Sequence, residues 1–454
     1  MKTIQSINAY TWEILAEFQT LSDTELTQKI ELAHRAFLTW RETSFAERKA
    51  LFHRLAGQIE ERIEELAKLQ TLEMGMLIGP SRKGLEGTIN LIRWFADNAE
   101  IYLGAEEFEL NGTSGKYLYD PLGVIYGIWP WNFPFNQVLR AAVPNIIAWN
   151  TQVYKHASNV PQCAAAIEKL FLDAWFPEGV YQNIYISASQ SELILAHKYV
   201  AGVNLTGSEG AGSAIGALAG KYLKPSVLEL GGNDAFVLAS HSDTRQMAHE
   251  AVNCRVSYGW QKCNSSKRFI ILQEHYDEFV DEMTAYMKSL RLGDPLDITT
   301  TLSPLARTDL VQEVHSQVQK TISEGARLMC WGEVLGDRGQ FYAGTILADV
   351  TPEMTSSREE IFWPVASIIK SRSIEESIRL ANDSDFGLSA VVFWDDIAEC
   401  RAIAEKLDGG MVFVNAPAGS QPHLPFGGVR KSWYGKENGP EWLRAFTNKK
   451  VVVY

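Results

Sequence analysis

The alternation of short apolar strands with helices after Gly123 constrains the fold of this chain more than any other feature. Four segments have the composition of buried strands (VIYGIW, TQVYKH, NIYIS and VNLTGS), and two have helical spacing (FNQVLRAAVPNIIA and PQCAAAIEKLFLDA). A second series follows Glu229, with strands at AFVLA and KRFIIL and helices over 246–256 and 276–290. Strands that alternate with helices indicate a parallel sheet, whose ligands bind beyond the carboxyl ends of the strands. The sequence therefore predicts an α/β fold.

The segments at the two ends of the chain have simpler patterns. Apolar residues recur at helical spacing over 24–39 and 44–73. Ser44 followed by Glu47 matches a capping box, which marks the start of the second helix. The final residues, NKKVVVY, form an apolar strand that pairs either within its own domain or with another subunit. The first of these alternatives is favoured.

Length and composition exclude several classes of protein. A chain of 454 residues exceeds what one hydrophobic core serves, so two or three domains are predicted. The net charge of −13 offers no basic excess that would attract nucleic acid or an anionic membrane. The five cysteines follow no metal-ligand spacing and no disulfide framework, so no metal site is predicted. Because the chain has neither a signal-peptide pattern nor an apolar run of membrane-spanning length, we expect a cytoplasmic protein.

Two segments carry candidate polar groups for catalysis. PWNFPFNQVLR holds Asn132 in a proline-flanked turn before a helix, where a rigid turn aims a side-chain amide at a reacting carbonyl. Taken alone, a structural asparagine is the favoured interpretation. VLELGGND places Glu229 at the end of an apolar strand, where partial desolvation raises the pKa of a carboxyl group towards that of a useful base. The alternative role for Glu229 is to cap a nearby helix.

Two further segments carry a candidate nucleophile and a candidate phosphate site. GWQKCNSSKR surrounds Cys263 with Lys262, Lys267 and Arg268, and such cations, together with a helix start, would favour a thiolate. An inert core cysteine is the alternative. LTGSEGAG follows a strand and precedes a helical run, so its backbone amides suit a pyrophosphate group. It is not a GxGxxG fingerprint, and a simple glycine-rich turn is the other interpretation.

Together, these segments resemble the aldehyde dehydrogenase superfamily over essentially the whole chain. The match is carried by PWNFP at 130–134, NTQVYKHAS at 150–158, LTGS at 205–208, ELGG at 229–232, QKC at 261–263, EEIF at 359–362 and PFGG at 425–428. The order and the spacings agree, including the 34 residues from Glu229 to Cys263. KHAS, ELGGND and CxxxKRFI are most similar to the short bacterial NAD(P)-dependent succinate-semialdehyde dehydrogenases.

The resemblance implies a role for each matching residue. Cys263 is the expected nucleophile, Asn132 the oxyanion donor and Glu229 the base that activates water. Lys155 and Glu360 match the residues that hold the two riboses of a nicotinamide cofactor, and Gly207 and Ser208 match its phosphate turn. The other expected cofactor contacts are Trp131, His156, Ala157, Ser158, Leu230 and Phe362.

Cofactor preference and substrate class follow from single positions of the resemblance. NAD-preferring members usually carry a glutamate three residues after the ribose lysine, and here that residue is Ser158. Without that carboxylate a 2′-phosphate is not repelled, so we predict that NADP is accepted as well as NAD. Arg140 and Ser420 match positions that bind a substrate carboxylate, whereas a second arginine of some relatives is Ser257 here. Succinate semialdehyde is therefore the expected substrate.

The resemblance also implies a domain plan and an assembly. We expect an aldehyde dehydrogenase fold with a Rossmann-like cofactor domain over 1–102 and 122–230 and an α/β catalytic domain over 231–427. Small β segments over 103–121 and 442–454 would exchange between subunits of a homodimer or homotetramer. Two alternatives remain open: a dehydrogenase for other aliphatic or aromatic aldehydes, and a catalytically silent relative with a binding role.

Tryptophan stands at eight positions where the family usually has glycine. Two of them, Trp149 and Trp175, directly follow helical runs, at the position where a left-handed backbone selects glycine. Independent drift to tryptophan is one interpretation. Our hypothesis is that these codons are UGA, which some bacteria read as glycine, so that the natural protein has glycine at all eight sites. The eight residues are Trp12, Trp149, Trp175, Trp260, Trp331, Trp363, Trp433 and Trp442.

Overall fold

The computed structural model describes residues 2–240, 242–256, 261–335 and 341–454. Its α-helices are α1 Asp23–Trp40, α2 Phe45–Glu61, α3 Ile63–Met74, α4 Ile78–Leu103, α5 Asn136–Ile147, α6 Pro161–Asp173, α7 Ser191–Ala196, α8 Glu209–Lys221, α9 Thr244–Val256, α10 Gln273–Ser289, α11 Thr308–Ser323, α12 Thr355–Arg358, α13 Ile374–Asn382, α14 Ile397–Ala404 and α15 Gly439–Arg444.

The strands are β1 Thr3–Ile7, β2 Ile14–Gln19, β3 Glu106–Leu110, β4 Thr113–Pro121, β5 Val124–Ile128, β6 Thr151–Lys155, β7 Tyr181–Asn183, β8 Val200–Thr206, β9 Ser226–Glu229, β10 Asp234–Ser240, β11 Ser266–Leu272, β12 Arg327–Cys330, β13 Val334–Leu335, β14 Phe341–Tyr342, β15 Thr345–Ala348, β16 Val365–Ser371, β17 Ser389–Trp394, β18 Met411–Val414, β19 Trp433–Tyr434 and β20 Thr447–Val453. The α/β prediction is confirmed.

The N-terminal helices begin where their capping residues predict. The Ser44 hydroxyl oxygen accepts a hydrogen bond from the Glu47 amide, and the Ser44 amide donates one to the Glu47 carboxylate, so the predicted capping box is present. The single helix predicted over 44–73 is wrong, because α2 and α3 are separate helices that meet at Arg62. Arg62 leaves the helical conformation and pairs with Glu65 and with Asp173 on α6. The apolar spacing continues through this break, so periodicity alone could not find it.

A six-stranded sheet of order β19-β9-β8-β5-β6-β7 holds the predicted ligand-binding edge. Its strands from β5 to β9 run parallel, and β5 lies between β6 and β8, which places a topological switch point at its carboxyl end. The strand predicted at NIYIS is misplaced, because the edge strand β7 pairs with β6 only over Tyr181–Asn183. Ile184 and Ile186 are buried without belonging to the sheet, and their apolar character caused the error.

A second, seven-stranded sheet of order β12-β15-β16-β11-β10-β17-β18 is parallel apart from β12. A three-stranded antiparallel sheet of order β20-β4-β3 contains the C-terminal strand. In it β20 pairs with β4 of the same chain from Thr447 with Pro121 to Val453 with Gly115. The favoured alternative, pairing within the chain, is therefore confirmed. The predicted domain boundaries and subunit exchange stay predictions.

Four of the anomalous tryptophans have the left-handed backbone that favours glycine. The φ angles are 64° at Trp12, 67° at Trp149, 70° at Trp175 and 58° at Trp331. Trp175 follows α6 in a Schellman turn, in which the Trp175 amide donates to the Leu172 carbonyl and the Phe176 amide to the Phe171 carbonyl. The predicted glycine-type helix ends after α5 and α6 are confirmed.

For the other four tryptophans the described backbone gives no reason for glycine. Trp363, Trp433 and Trp442 are buried, and none of these three has a positive φ. Trp442 lies within α15, where its indole donates to the Arg140 carbonyl at 3.1 Å. Trp260 lies outside the described residues. The structure thus gives a physical reason for glycine at four of the eight sites.

Among the described residues, no helix is long and apolar enough to cross a membrane. The same part of the chain holds no group of three or more His, Cys, Asp or Glu side chains placed to bind a metal ion.

Candidate active site

The predicted nucleophile and the predicted base meet between the two large sheets. Glu229 ends β9 of the six-stranded sheet and is fully buried, whereas Cys263 lies in the turn before β11 of the seven-stranded sheet. The distance from the Cys263 Sγ to the Glu229 Oε1 is 4.0 Å. Residues that are 34 positions apart in sequence are therefore within reach of proton transfer after a small movement.

The neighbouring cations do not make Cys263 a thiolate: among the three named from the sequence, Lys267 lowers its pKa, but the net shift is upward. Burial is the largest cause and the charge of Glu229 adds to it, so the pKa of Cys263 is raised to about 12 although Arg140 and Lys267 oppose the shift. The cations named by sequence are engaged elsewhere: Lys262 donates to the Ala418 carbonyl, and Arg268 donates to backbone carbonyls. No described helix begins at Cys263, which precedes a strand.

Glu229 has the raised pKa that the sequence predicts for it. Burial raises the pKa of Glu229 well above its ordinary value; Arg140 opposes the shift, and the nearby Glu437 adds to it. The Thr206 hydroxyl also donates to the Glu229 Oε2 at 3.3 Å. A carboxylate with a raised pKa is the stronger base once ionised, which suits it to take a proton from a thiol or from water.

Arg140 lies between two buried carboxylates. Its Nη2 donates to the Glu229 Oε2 at 2.6 Å, and its Nε lies 2.7 Å from the Glu437 Oε2. The Phe426 ring stacks against the guanidinium with its centroid 4.4 Å from Cζ. Sequence reasoning missed Glu437, because a glutamate in the polar segment GKENGPE carries no signal that it will be buried.

The Asn132 turn has the predicted form. Asn132 is buried in the loop between β5 and α5, and its Nδ2 donates to the Gln261 carbonyl at 2.7 Å. This bond ties the amide to the segment two residues before Cys263. Since an amide nitrogen carries two hydrogens, one remains for an oxyanion formed on a carbonyl that is attacked by the thiol.

Two cavities meet at Cys263. The first, of about 440 Å³, is here called the substrate-side cavity; its lining includes Lys83, Gln137, Arg140, Lys262, Cys263 and Ser420. The second, of about 230 Å³, is here called the nucleotide-side cavity; its lining includes Trp131, Asn132, Gly207, Ser208, Leu230, Cys263, Glu360 and Phe362. The structure therefore gathers most of the residues predicted for cofactor and substrate around one thiol.

The KHAS segment lies apart from the lining of the nucleotide-side cavity. Lys155 ends β6 half-buried, and burial lowers its pKa. His156 is buried with its Nε2 3.0 Å from the Tyr181 hydroxyl, and burial together with the charge of Lys155 lowers its pKa to about 3. Ala157 is half-buried, and Ser158 is exposed in the following turn. Ser257, which stands where some relatives have a second arginine, lies outside the described residues.

Lys267 is a buried cation whose contacts the sequence could not give. Its Nζ donates to the Cys263 carbonyl and lies 3.1 Å from the Glu360 Oε1. Only 2% of its surface is exposed. The lysine thus joins the nucleophile turn to the carboxylate that faces the nucleotide-side cavity.

Comparison with known proteins assigns this arrangement to a family. The model of the aldehyde dehydrogenase family matches residues 1–452. The chain belongs to the aldehyde dehydrogenase family. Its fold agrees with solved aldehyde dehydrogenase structures, so the fold class expected from the sequence is confirmed.

Several relatives are similar over nearly their full length. A succinate-semialdehyde dehydrogenase [NADP(+)] of Deinococcus radiodurans is 38% identical over 98% of this chain and 94% of its own. The succinate semialdehyde dehydrogenase [NAD(P)+] Sad of Escherichia coli is 40% identical over 98% of this chain and 97% of its own. The solved succinic semialdehyde dehydrogenase of Streptococcus pyogenes, in complex with NADP+, is 36% identical with a TM-score of 0.96, covering 99% of both chains.

The nucleotide-side cavity has a phosphate-binding turn and a carboxylate of the kind a dinucleotide needs. Gly207 and Ser208 join β8 to α8, and Ser208 caps the helix by accepting from the Ala211 amide at 3.3 Å. The first-turn amides of such a helix suit a phosphate group. A Cβ at Gly231 would lie 2.2 Å from the Glu360 Oε2, so glycine there leaves room for this carboxylate against the ELGG turn.

Proposed function

We propose that this chain oxidises succinate semialdehyde to succinate with NADP or NAD. The observation that carries the proposal is the placement of Arg140 and Ser420 with Cys263 in one cavity. The cavity is also lined by Lys83 and Lys262, and among its described lining residues Glu250 is the one with an acidic side chain. Basic side chains around the nucleophile favour an aldehyde that carries its own carboxylate.

Cys263 attacks the aldehyde carbon after its thiol proton passes to Glu229. With a pKa of about 12 the thiol does not ionise by itself at neutral pH, so the base 4.0 Å away is needed. The resulting oxyanion accepts hydrogen bonds from the Asn132 amide and the Cys263 backbone amide. Trp131, Leu230, Glu360 and Phe362 would hold the nicotinamide half of the dinucleotide against this carbon. When bound, the nicotinamide supplies the acceptor for the hydride.

Glu229 then promotes hydrolysis of the thioester on Cys263. Once Glu229 has released the thiol proton to bulk water, the ionised carboxylate takes a proton from the attacking water as the water oxygen bonds to the acyl carbon. The carbon–sulfur bond breaks, and the sulfur leaves as a thiolate that Arg140 and Lys267 stabilise. The carboxylic acid product and a regenerated nucleophile complete the cycle.

Steady-state kinetics tests the substrate assignment. Succinate semialdehyde should have a kcat/KM at least about tenfold above that of butanal, since a charged pair with Arg140 is worth about 1.4 kcal/mol or more. Equal values for the two aldehydes would remove the carboxylate-binding role of Arg140 and Ser420. Cys263→Ala should abolish oxidation, and Glu229→Gln should lose nearly all of it, because the thiol then lacks the base that accepts its proton.

A dehydrogenase for larger aliphatic or aromatic aldehydes is the second candidate. The substrate-side cavity of about 440 Å³ has more room than a four-carbon semialdehyde fills. A higher kcat/KM for benzaldehyde than for succinate semialdehyde would favour it. A catalytically silent relative is disfavoured, because the structure brings Cys263, Glu229 and Asn132 to one place. The cytoplasmic location and the homo-oligomeric assembly stay predictions.

A further inference from the structure

The Arg140 guanidinium binds two carboxylates, and its side chain also lines the substrate-side cavity. Its Nη2 donates to Glu229, and its Nε pairs with Glu437. Among the described residues, its Nη1 has no hydrogen-bond acceptor, and the side chain lines the substrate-side cavity. The proposed substrate-binding arginine is therefore the same cation that holds the proposed base.

A substrate carboxylate would compete with Glu229 for this cation. Carboxylates bind guanidinium groups most strongly through two parallel hydrogen bonds. From the cavity such a pair would use one hydrogen of Nη1 and one of Nη2, and the other hydrogen of Nη2 already binds Glu229 at 2.6 Å, so two carboxylates would lie against the same nitrogen. A third carboxylate would also add negative charge beside two carboxyl groups whose pKa values burial already raises, which is costly in a low-dielectric site.

Glu229 is the carboxylate that can leave. The backbones of both glutamates are fixed, Glu437 by two hydrogen bonds to Phe426 and Glu229 by one from the Gly207 amide, so in either residue it is the side chain that can turn. Glu229 ends its strand, and its Oε1 is already 4.0 Å from the Cys263 Sγ. Release from Arg140 would allow its carboxylate to turn towards the acyl group on that sulfur.

We propose that the carboxylate of the substrate takes Arg140 from Glu229 and thereby releases Glu229 as the base for thioester hydrolysis. This inference rests on the proposed function, since it requires Arg140 to bind the substrate carboxylate. With an aldehyde that has no carboxylate, the held Glu229 still accepts the thiol proton through its Oε1, 4.0 Å from the sulfur, but cannot turn towards the water that hydrolyses the thioester. The enzyme thus discriminates between aldehydes with and without a carboxylate at the hydrolysis step as well as on binding.

Rapid mixing of the unmodified enzyme with saturating NADP and each aldehyde tests the proposal. Butanal should give a burst of one reduced nucleotide per site followed by slow turnover, because its thioester accumulates. Succinate semialdehyde should give little or no burst. Sodium acetate added with butanal should occupy Arg140 and raise the steady-state rate about tenfold or more, within the range that a positioned base contributes.

Two controls separate the effect from ionic strength and from crowding of the cavity. Sodium chloride at equal ionic strength and acetamide, which has the shape of acetate without its charge, should both leave the butanal rate unchanged. In Arg140→Lys, a single ammonium group cannot hold two carboxylates in the fork geometry, and acetate should lose its effect. The acetate experiment itself needs no substitution, so protein folding does not enter the result.

The outcomes distinguish this inference from the proposed function. Two results would overturn the release of Glu229 even if succinate semialdehyde keeps its lower KM. One is a burst of equal size for the two aldehydes, and the other is acetate that raises the KM for butanal without raising kcat. Loss of the KM advantage itself would overturn the proposed function, and the inference with it.

Discussion

Lys267 places its Nζ 3.1 Å from the Glu360 Oε1 and also donates to the Cys263 carbonyl, so one buried ammonium group connects the two halves of the site. The contact fixes the backbone that carries the nucleophile and sets the position of a carboxylate in the nucleotide-side cavity. A residue without access to substrate can in this way influence both binding and chemistry.

Lys267→Met should therefore weaken nucleotide binding. Without its partner Glu360 is left partly buried and unpaired, and we expect the dissociation constant for NADP to rise about tenfold, which corresponds to about 1.4 kcal/mol. Titration of NADP by intrinsic fluorescence measures it. Lys267→Arg keeps the charge and serves as the matched control. An unchanged dissociation constant in the Met variant would contradict the role of the ion pair.

Ser158→Glu should change the cofactor preference. A carboxylate in the turn after Lys155 and His156 would repel a 2′-phosphate and accept hydrogen bonds from a free ribose hydroxyl. We expect the ratio of kcat/KM for NADP to that for NAD to fall about tenfold or more. Ser158→Gln has nearly the same shape without the charge and should change the ratio little. Equal ratios for both variants would show that the charge has no part in selection.

Trp175→Gly should stabilise the protein. Its φ of 70° strains any residue with a Cβ by about 1–2 kcal/mol, and its ring is 69% exposed with Arg54 stacked at 3.7 Å. Trp175→Ala also loses the ring but keeps the Cβ. In chemical denaturation the glycine variant should therefore exceed the alanine variant by about 1–2 kcal/mol in free energy of unfolding.

The codons at the eight sites provide a separate check of the glycine hypothesis. We expect UGA at all eight and UGG at the other tryptophans, among them Trp40, which is buried in α1 and donates to the Ile146 carbonyl. UGG at most of the eight would refute the hypothesis, although the strain at the four left-handed positions would remain.

His156 should make the folded state sensitive to acid. Its pKa of about 3 in the folded protein lies below the ordinary value of 6.5, so the unfolded chain binds a proton first as the pH falls. Above pH 6.5 His156 is neutral in both states and does not change the free energy of unfolding. Between pH 6.5 and about pH 3 the free energy of unfolding falls by about 1.4 kcal/mol for each pH unit. Denaturation of wild type and His156→Gln at pH 7, 6 and 5 measures the difference. A difference that stays constant over this range would contradict the expected coupling.

The sequence by itself determined the alternation of strands and helices after Gly123, the turns that carry Asn132, Glu229 and Cys263, and the backbone at Trp149 and Trp175. These features depend on local patterns: apolar periodicity, a glycine pair after a strand, and helix ends that require a left-handed residue. The resemblance to the family then assigned roles to residues whose order and spacing along the chain match the family motifs. For the same reason the raised pKa of Glu229 was predictable, since burial follows from the end of an apolar strand.

Only the tertiary structure decided the charges around Cys263. Of the lysines and the arginine next to it in sequence, which are bound to carbonyls or to Glu360, Lys267 acts on the sulfur, and so does Arg140, 123 positions earlier. Glu437 reaches the same cluster from the far end of the chain. Electrostatic energy depends on distance in space and on burial, and neither follows from sequence separation. Packing of the two sheets therefore determines which charges the nucleophile and its base experience.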